Sequence, residues 1–334
     1  MIGPLPPPLG GVQIVNRMLV ESSLARDFEI HTVDTSKGAL RWAVEKQDWT
    51  SPLYFVRNVW RLILALARVR PRVYHGTLHT AFPSPRTPFG RWAGRVMMRT
   101  AHRVIVLGPT FQREMSRAWR HDGVTWSPNP VEVARFEAAK PGAAAPWLQP
   151  GERSVLFVGR LSAPKGFGDL IEAAPAVLAK HPETRFVLCG VAESAALEPR
   201  LRDEVERRAL APHVTFLGSL EDADLARAYV SSHVFVSPSW TEAFPLVIPE
   251  AMAAGLPMVV TSVGAIPDFI RDGEDGFLVP PHEPAQLADR IIRLLDDEPL
   301  RRRMSAHVRA RAAREFAIEI GVERVRQVLR DAIG

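Results

Sequence analysis

Residues 154–166 read Ser154-Val-Leu-Phe-Val-Gly159-Arg160-Leu-Ser-Ala-Pro-Lys165-Gly166. A short unbroken apolar run stops at a glycine and enters a loop that carries two cations. Such a run predicts a strand covered on both faces, the habit of a parallel sheet. Working outward, the pattern repeats. Strand 154–158 leads to helix 167–180, 185–189 to 197–209, 213–217 to 222–230, 233–236 to 246–254, and 257–261 to a short helix near 266–271. A last strand at 276–279 precedes helices at 284–296, 299–314 and 316–332. Strand–helix alternation predicts a parallel sheet with helices on both faces. Sheets of this class take ligands beyond the carboxyl ends of their strands.

Two loops at those ends carry chemistry. In the first, Gly159 and Gly166 allow backbone N–H groups to approach an anion, Arg160 offers a planar fork and Lys165 a point charge, so a diphosphate is the expected ligand. The second follows strand 233–236: Ser237-Pro-Ser-Trp-Thr-Glu242-Ala-Phe-Pro-Leu-Val-Ile-Pro-Glu250-Ala-Met-Ala-Ala-Gly255-Leu-Pro257. Pro245 suits the first turn of the helix expected to begin near 244–246, and the free N–H groups of that turn form an anion site. Glu242 can accept sugar hydroxyls beside it. Glu250, two turns in, can reach a ribose diol. Arg160 and Lys165 offset the two carboxylates beside a dianion.

The bulk properties bound the class. The chain has 334 residues, 46% apolar and 24% charged, as expected of a globular protein of two domains. Its one cysteine, Cys189, excludes an internal disulfide framework and reads as inert core. No run of 18 apolar residues marks a spanning helix, and Met1–Gly11 lacks the basic and apolar regions of a secretion signal. A cytoplasmic protein is expected. Charge is uneven: residues 1–148 hold 20 Lys/Arg against 10 Asp/Glu, and residues 149–334 hold 22 against 27. The basic half suits anionic head groups, so peripheral contact with an anionic inner membrane face is a further expectation. No aromatic–basic interleaving supports a nucleic-acid partner.

The first half carries weaker periodic signals. A turn over Pro4–Pro8 leads to Gly10-Gly11, then a helix over 12–26 and a strand over 28–33. Helices at 52–69 and 89–100 bracket a strand at 72–76. A strand at 103–107, a helix at 110–119 and a strand and turn over 124–131 close the half. The Pro-, Gly- and Ala-rich stretch 140–151 is the linker candidate.

These motifs resemble the GT-B fold retaining glycosyltransferases, in particular the group 1 family also called GT4. The resemblance is densest over 154–282 and looser over Pro4–Gly11 and Val104–Phe136, where Ser127-Pro-Asn-Pro-Val-Glu132 stands for the family's Asn-Gly-Val-Asp turn. It implies two Rossmann-like domains with a cleft between them: an acceptor-side domain over 1–148, shortened here, a nucleotide-sugar donor domain over 149–315, and a helix over 316–334 crossing back to the first domain. It implies transfer of a hexose from a nucleotide-diphosphate sugar to a hydroxyl of a glycan or lipid-linked acceptor, with UDP leading by family frequency and GDP open. By carry-over Arg160 and Lys165 hold the diphosphate, Glu242 the sugar and Glu250 the ribose. The backbone of Phe244, Pro245 and Leu246 also meets the donor, and Gly10 or Gly11 lies under the donor phosphate. His75 and His79 are the two candidates for the histidine that faces the sugar.

The chain departs from the family in three places. Gly190-Val-Ala replaces Gly-x-Gly, Gly264-Ala-Ile-Pro-Asp268 replaces Gly-Gly-x-x-Glu, and one strand–helix unit around residues 75–100 is compressed. The compression motivates an alternative, a donor-binding protein with an impaired acceptor site. A sugar-nucleotide epimerase of the same fold is a remoter one. No metal or other cofactor is expected: Asp222-Ala-Asp224 opens a helix, where acids cap, and no Cys/His cluster suits zinc.

Overall fold

A computed structural model describes residues 2–3, 11–29, 33–34, 103–119, 122–139, 145–220 and 222–333. The helices expected at 52–69 and 89–100, the strand at 72–76, the Pro4–Pro8 turn, and Gly10, His75 and His79 lie outside these residues. Contacts divide the chain into two compact units. One comprises Met1–Val106, Gln112–Ser127 and Glu319–Gly334, the other Leu107–Phe111 and Pro128–Ile318.

In the first unit β1 (Ile2–Gly3) pairs in parallel with β2 (Val33–Asp34), and β3 (Val104–Val106) with β4 (Val124–Trp126). The helix expected over 12–26 is two helices, α1 (Gly11–Val20) and α2 (Leu24–Asp27). The break is local chemistry. Ser22 Oγ donates to the Leu19 carbonyl at 2.7 Å and accepts the Leu24 N–H at 3.2 Å, offering the backbone an alternative to the helical ladder. Phe28, expected to open a strand, instead closes α2 by donating its N–H to the Leu24 carbonyl at 2.9 Å. α3 (Pro109–Trp119) follows β3 in the chain.

The second unit begins with α4 (Val133–Ala138), a helix the sequence reading did not include. Its centre is one parallel sheet of six strands: β5 (Arg153–Val158), β6 (Thr184–Cys189), β7 (Val214–Gly218), β8 (Val234–Ser237), β9 (Met258–Thr261) and β10 (Gly276–Val279), in the order β10-β9-β8-β5-β6-β7. Between them run α5 (Phe167–Lys180), α6 (Leu197–Arg207), α7 (Asp222–Val230), α8 (Val247–Ala254) and α9 (Ile266–Phe269). After β10 come α10 (Pro284–Asp296), α11 (Glu298–Arg311) and a π turn at Ala312–Phe316; the following α12 (Ile318–Ile333) belongs from Glu319 on to the first unit.

Both faces of the sheet are apolar because both are covered. Val155, Phe157, Phe186, Leu188, Val234 and Val236 share one cluster with Leu170 and Ile171 of α5 and Leu287 and Ile291 of α10. The alternate residues Leu156, Val187, Phe235 and Val260 are equally buried. Phe235 meets Tyr229 of α7 at 5.8 Å between ring centres, and Tyr229 meets Phe136 of α4 edge-on at 5.6 Å. Cys189 lies buried at the end of β6, where loss of water pushes its thiol up to about 12, so it stays protonated and inert. The chain leaves β5 toward β6 and β7, then returns to the other flank of β5 to lay down β8, β9 and β10. The order therefore reverses between β5 and β8, the kind of switch point beyond whose carboxyl ends sheets of this class take their ligands. No helix among the described residues is long and apolar enough to cross a membrane.

Candidate functional site

The loops that leave β5 and β8 are bound to each other. Residues Ala163–Lys165 form a tight 3-10 turn ending at Gly166, whose φ of 71° is left-handed. A Cβ at Gly166 would lie 1.8 Å from the Pro238 carbonyl oxygen, so only glycine lets the two loops approach this closely. Trp240 completes the join. Its N–H donates to the Pro164 carbonyl at 2.9 Å and its indole Nε1 to Asp169 Oδ2 at 2.8 Å, while its ring lies over that of His282 at 4.3 Å.

This join brings Lys165 of one loop onto Glu242 of the other. Lys165 Nζ pairs with Glu242 Oε1, which also accepts the Ser239 hydroxyl at 3.0 Å. The lysine is about one-third exposed, so the pair opens to solvent on its cationic side. Gly264 supports the glutamate from behind. Its φ is 58°, and a Cβ there would sit 1.9 Å from the Glu242 carbonyl oxygen. Arg160 is exposed and makes no ion pair or hydrogen bond among the described residues, so its fork is free for a ligand.

The segment before α8 differs from expectation. The helix begins at Val247 after an N-cap at Leu246, and the proline within its first turn is Pro249, where a missing N–H costs nothing. Pro245 lies upstream and has no amide hydrogen to give. That leaves Phe244 and Leu246, whose amide hydrogens find no acceptor among the described residues. Phe244 is fixed by ring contacts with Phe269 at 4.6 Å and Phe316 at 6.0 Å, and its carbonyl accepts Asn129 Nδ2 at 2.7 Å.

Glu250 is not free in the way the sequence suggests. Its Oε1 accepts Arg135 Nη2 at 2.8 Å, and its Oε2 accepts the Tyr229 hydroxyl at 2.9 Å. Burial raises the Glu250 carboxyl above its ordinary range, with Arg135 and the Tyr229 hydroxyl opposing the rise. Burial, with the Glu250 charge behind it, also holds the Tyr229 hydroxyl well above a normal tyrosine. Arg135 and Tyr229 were missed because neither belongs to a spaced motif. Arg135 stands 115 positions from its partner. The Ser127–Glu132 turn that leads into α4 was the one sequence signal near it.

The departure at Gly264–Asp268 also has a structural use. Asp268 accepts the Thr110 N–H at 2.9 Å and the Thr110 hydroxyl at 2.7 Å, holding the start of α3 against α9. Of the remaining residues singled out, Gly11 opens α1. Asp222 and Asp224 lie in the first turn of α7, and the described residues contain no cluster of His, Cys, Asp and Glu suited to a metal.

The comparisons with known proteins cover the segment that carries these loops. The family model for glycosyl transferases group 1 matches residues 145–311, half of the chain and nearly the whole six-stranded unit. The chain belongs to that family. Among curated relatives, a phosphatidyl-myo-inositol mannosyltransferase of Mycobacterium leprae is 32% identical over 238 residues, covering 70% of this chain and 61% of its own length. A D-inositol 3-phosphate glycosyltransferase of Corynebacterium diphtheriae is 36% identical over 179 residues, 53% of this chain and 42% of its own. The chain thus spans about three-fifths, or less, of the length of these relatives. Among solved structures, Anabaena HepE in complex with UDP aligns with a TM-score of 0.77 at 18% identity, covering 99% of this chain and 98% of that one. A sucrose-phosphate synthase from Thermosynechococcus elongatus aligns at 0.74 with 23% identity over the same shares. These likenesses show the fold, GT-B with parallel α/β sheets.

Proposed function

We propose that this chain is a glycosyltransferase that moves a hexose from a nucleotide-diphosphate sugar, UDP-linked, to a hydroxyl of a glycan or lipid-linked acceptor, with retention at the anomeric carbon and without a metal. The observation that carries the reading is the Lys165–Glu242 pair at the β5/β8 switch point, inside a segment that matches the group 1 family. The paired loops set a cation, two unclaimed amides and a carboxylate side by side, which are the groups a sugar diphosphate needs.

In this reading Lys165, Arg160 and the amides of Phe244 and Leu246 meet the diphosphate and stabilise the charge that grows on it as the sugar departs. Lys165 then exchanges its carboxylate partner for phosphate oxygens, which frees Glu242 to accept sugar hydroxyls. Each oxygen of Glu250 accepts one protein hydrogen bond and keeps a further lone pair, so a ribose diol can be added without dismissing Arg135 or Tyr229. Attack on the same face as the departing phosphate, with a phosphate oxygen taking the acceptor's proton, gives retention. A lipid-linked acceptor is supported by the likeness to the M. leprae phosphatidyl-myo-inositol mannosyltransferase and by the basic balance of residues 1–148.

The test is a transfer assay against UDP- and GDP-sugars with Lys165→Ala and Glu242→Ala. Each substitution is expected to lower kcat on the order of 10²-fold, the size found when one charge-stabilising group is removed. Transfer at the wild-type rate by both variants would refute the site.

A further inference from the structure

The β8 and β9 strands also have entering ends, on the edge of the sheet opposite Lys165 and Glu242. There α11 runs beside the residues just before both strands and leaves a groove of about 320 Å³. Its polar lining comes from Ser232, His233, Arg301, Arg302, Ser305 and Arg309. The α11 members fall at 301/302, 305 and 309, one stripe of the helix at three- and four-residue spacing.

The groove is rich in donors and poor in acceptors. His233 Nδ1 accepts the Ser154 N–H at 3.1 Å, which places the ring hydrogen on Nε2, and Nε2 makes no bond among the described residues. Burial, then Arg301 and Arg153, lower the His233 pKa, so the ring stays a neutral donor. Arg301 spends Nη1 on the carbonyls of Leu294 and Leu295, at 2.6 and 2.7 Å, and keeps its other nitrogens. Arg309 spends only Nη2, on the Ala254 carbonyl at 3.1 Å. The Ser305 hydroxyl has no partner among the described residues. The single lining carboxylate, Glu298, is already bonded to Arg302 at 2.5 Å. Burial and the neighbouring Arg153 charge also lower the Arg301 pKa. Helix capping accounts for one nitrogen each of Arg301 and Arg309, and Glu298 takes one of Arg302; the remaining donors find no partner among the described residues.

We propose that this groove is a second anion site that binds a phosphate-class oxyanion, through Arg301, Arg302, Arg309, Ser305 and the Nε2–H of His233. It lies at the opposite strand ends from the donor loops, so the two sites do not compete, and its occupancy does not depend on the chain being a transferase. Two sources present the same chemistry, free phosphate and a phospholipid head group.

The experiment uses the full chain, with inorganic phosphate as probe at constant ionic strength maintained with chloride. Phosphate at about ten times its Kd is expected to raise Tm by roughly 3 °C. The rise should vanish in Arg302→Gln/Arg309→Gln, whose side chains are exposed and whose replacement leaves the core intact, and persist in Lys165→Ala. No rise, or a rise lost in Lys165→Ala and kept in the double variant, overturns the proposal. Sedimentation with phosphatidic acid vesicles, compared between wild type and double variant, then separates the sources. Binding that the double variant loses assigns the anion to a lipid. Equal sedimentation of both, with the phosphate response intact in wild type alone, assigns it to free phosphate.

Discussion

Glu242 and Glu250 stand eight residues apart and are equally covered, each side chain 11% exposed, yet different kinds of neighbour hold them. Glu242 is gripped by a 3-10 turn and a loop: its partners are Lys165, itself one-third exposed, and Ser239. Glu250 is gripped by helices, with Arg135 on α4 and a fully buried Tyr229 on α7. A partner on a loop, open to water, can be exchanged for a ligand at small cost. A partner inside a helical layer cannot leave without stranding a buried polar group. The first carboxylate is therefore disposed for chemistry, and the second is also a strut between α8 and its neighbours.

Substitution at the strut should show the largest effect. Glu250→Ala removes the acceptor of two groups at once and is expected to cost about 3 kcal/mol of stability, read from denaturant unfolding. Glu242→Ala should cost less than about 1 kcal/mol in the same measurement, because Lys165 returns to water. Equal losses would erase the distinction. Next comes the loop junction. Gly166→Ala forces a left-handed alanine against the Pro238 carbonyl and should cost about 2 kcal/mol while lowering transfer as strongly as Lys165→Ala.

The smallest effect is one of pH. The folded-state pKa of Glu250 is raised by burial, so its contribution is full below the unfolded value near 4.5 and is lost as pH rises through the folded value. Stability of wild type relative to Glu250→Gln should therefore fall as pH increases across that interval. A relative rise would mean that Arg135 outweighs the cost of burial.

Most of the six-stranded unit was legible because its strands are continuous apolar runs, a signal that solvent does not dilute. The helices expected at 167–180, 222–230 and 284–296 are α5, α7 and α10 to the residue, as is the strand at 276–279, and most other edges shifted by a residue or two. The long C-terminal helix run shifted more: 299–314 is Glu298–Arg311 followed by a π turn. There Asp297 Oδ1 caps the Leu300 N–H at 2.8 Å, and the Phe316 carbonyl accepts the Val131 N–H at 2.8 Å. That Lys165 and Glu242 share one edge of the sheet was legible, because both loops follow strand ends; their direct pairing rests on β5 and β8 being neighbours, which the order along the chain does not state. The Arg135–Glu250–Tyr229 cluster was not legible, because it depends on how three helices stack, and periodicity within one helix carries no information about its neighbour. The α1/α2 break escaped for another reason: one serine's hydrogen bonds overrode a sound apolar pattern.

Trp240 has a consequence for anyone who wants to watch the donor loops. Two residues from Glu242, it is tied to Pro164 and Asp169 and in tilted ring contact with His282, so its indole senses the same junction that carries Lys165. The chain has eight tryptophans, and the emission difference between wild type and Trp240→Phe isolates this one. That difference spectrum makes the join between the two loops an optical signal, readable in a cuvette without a label.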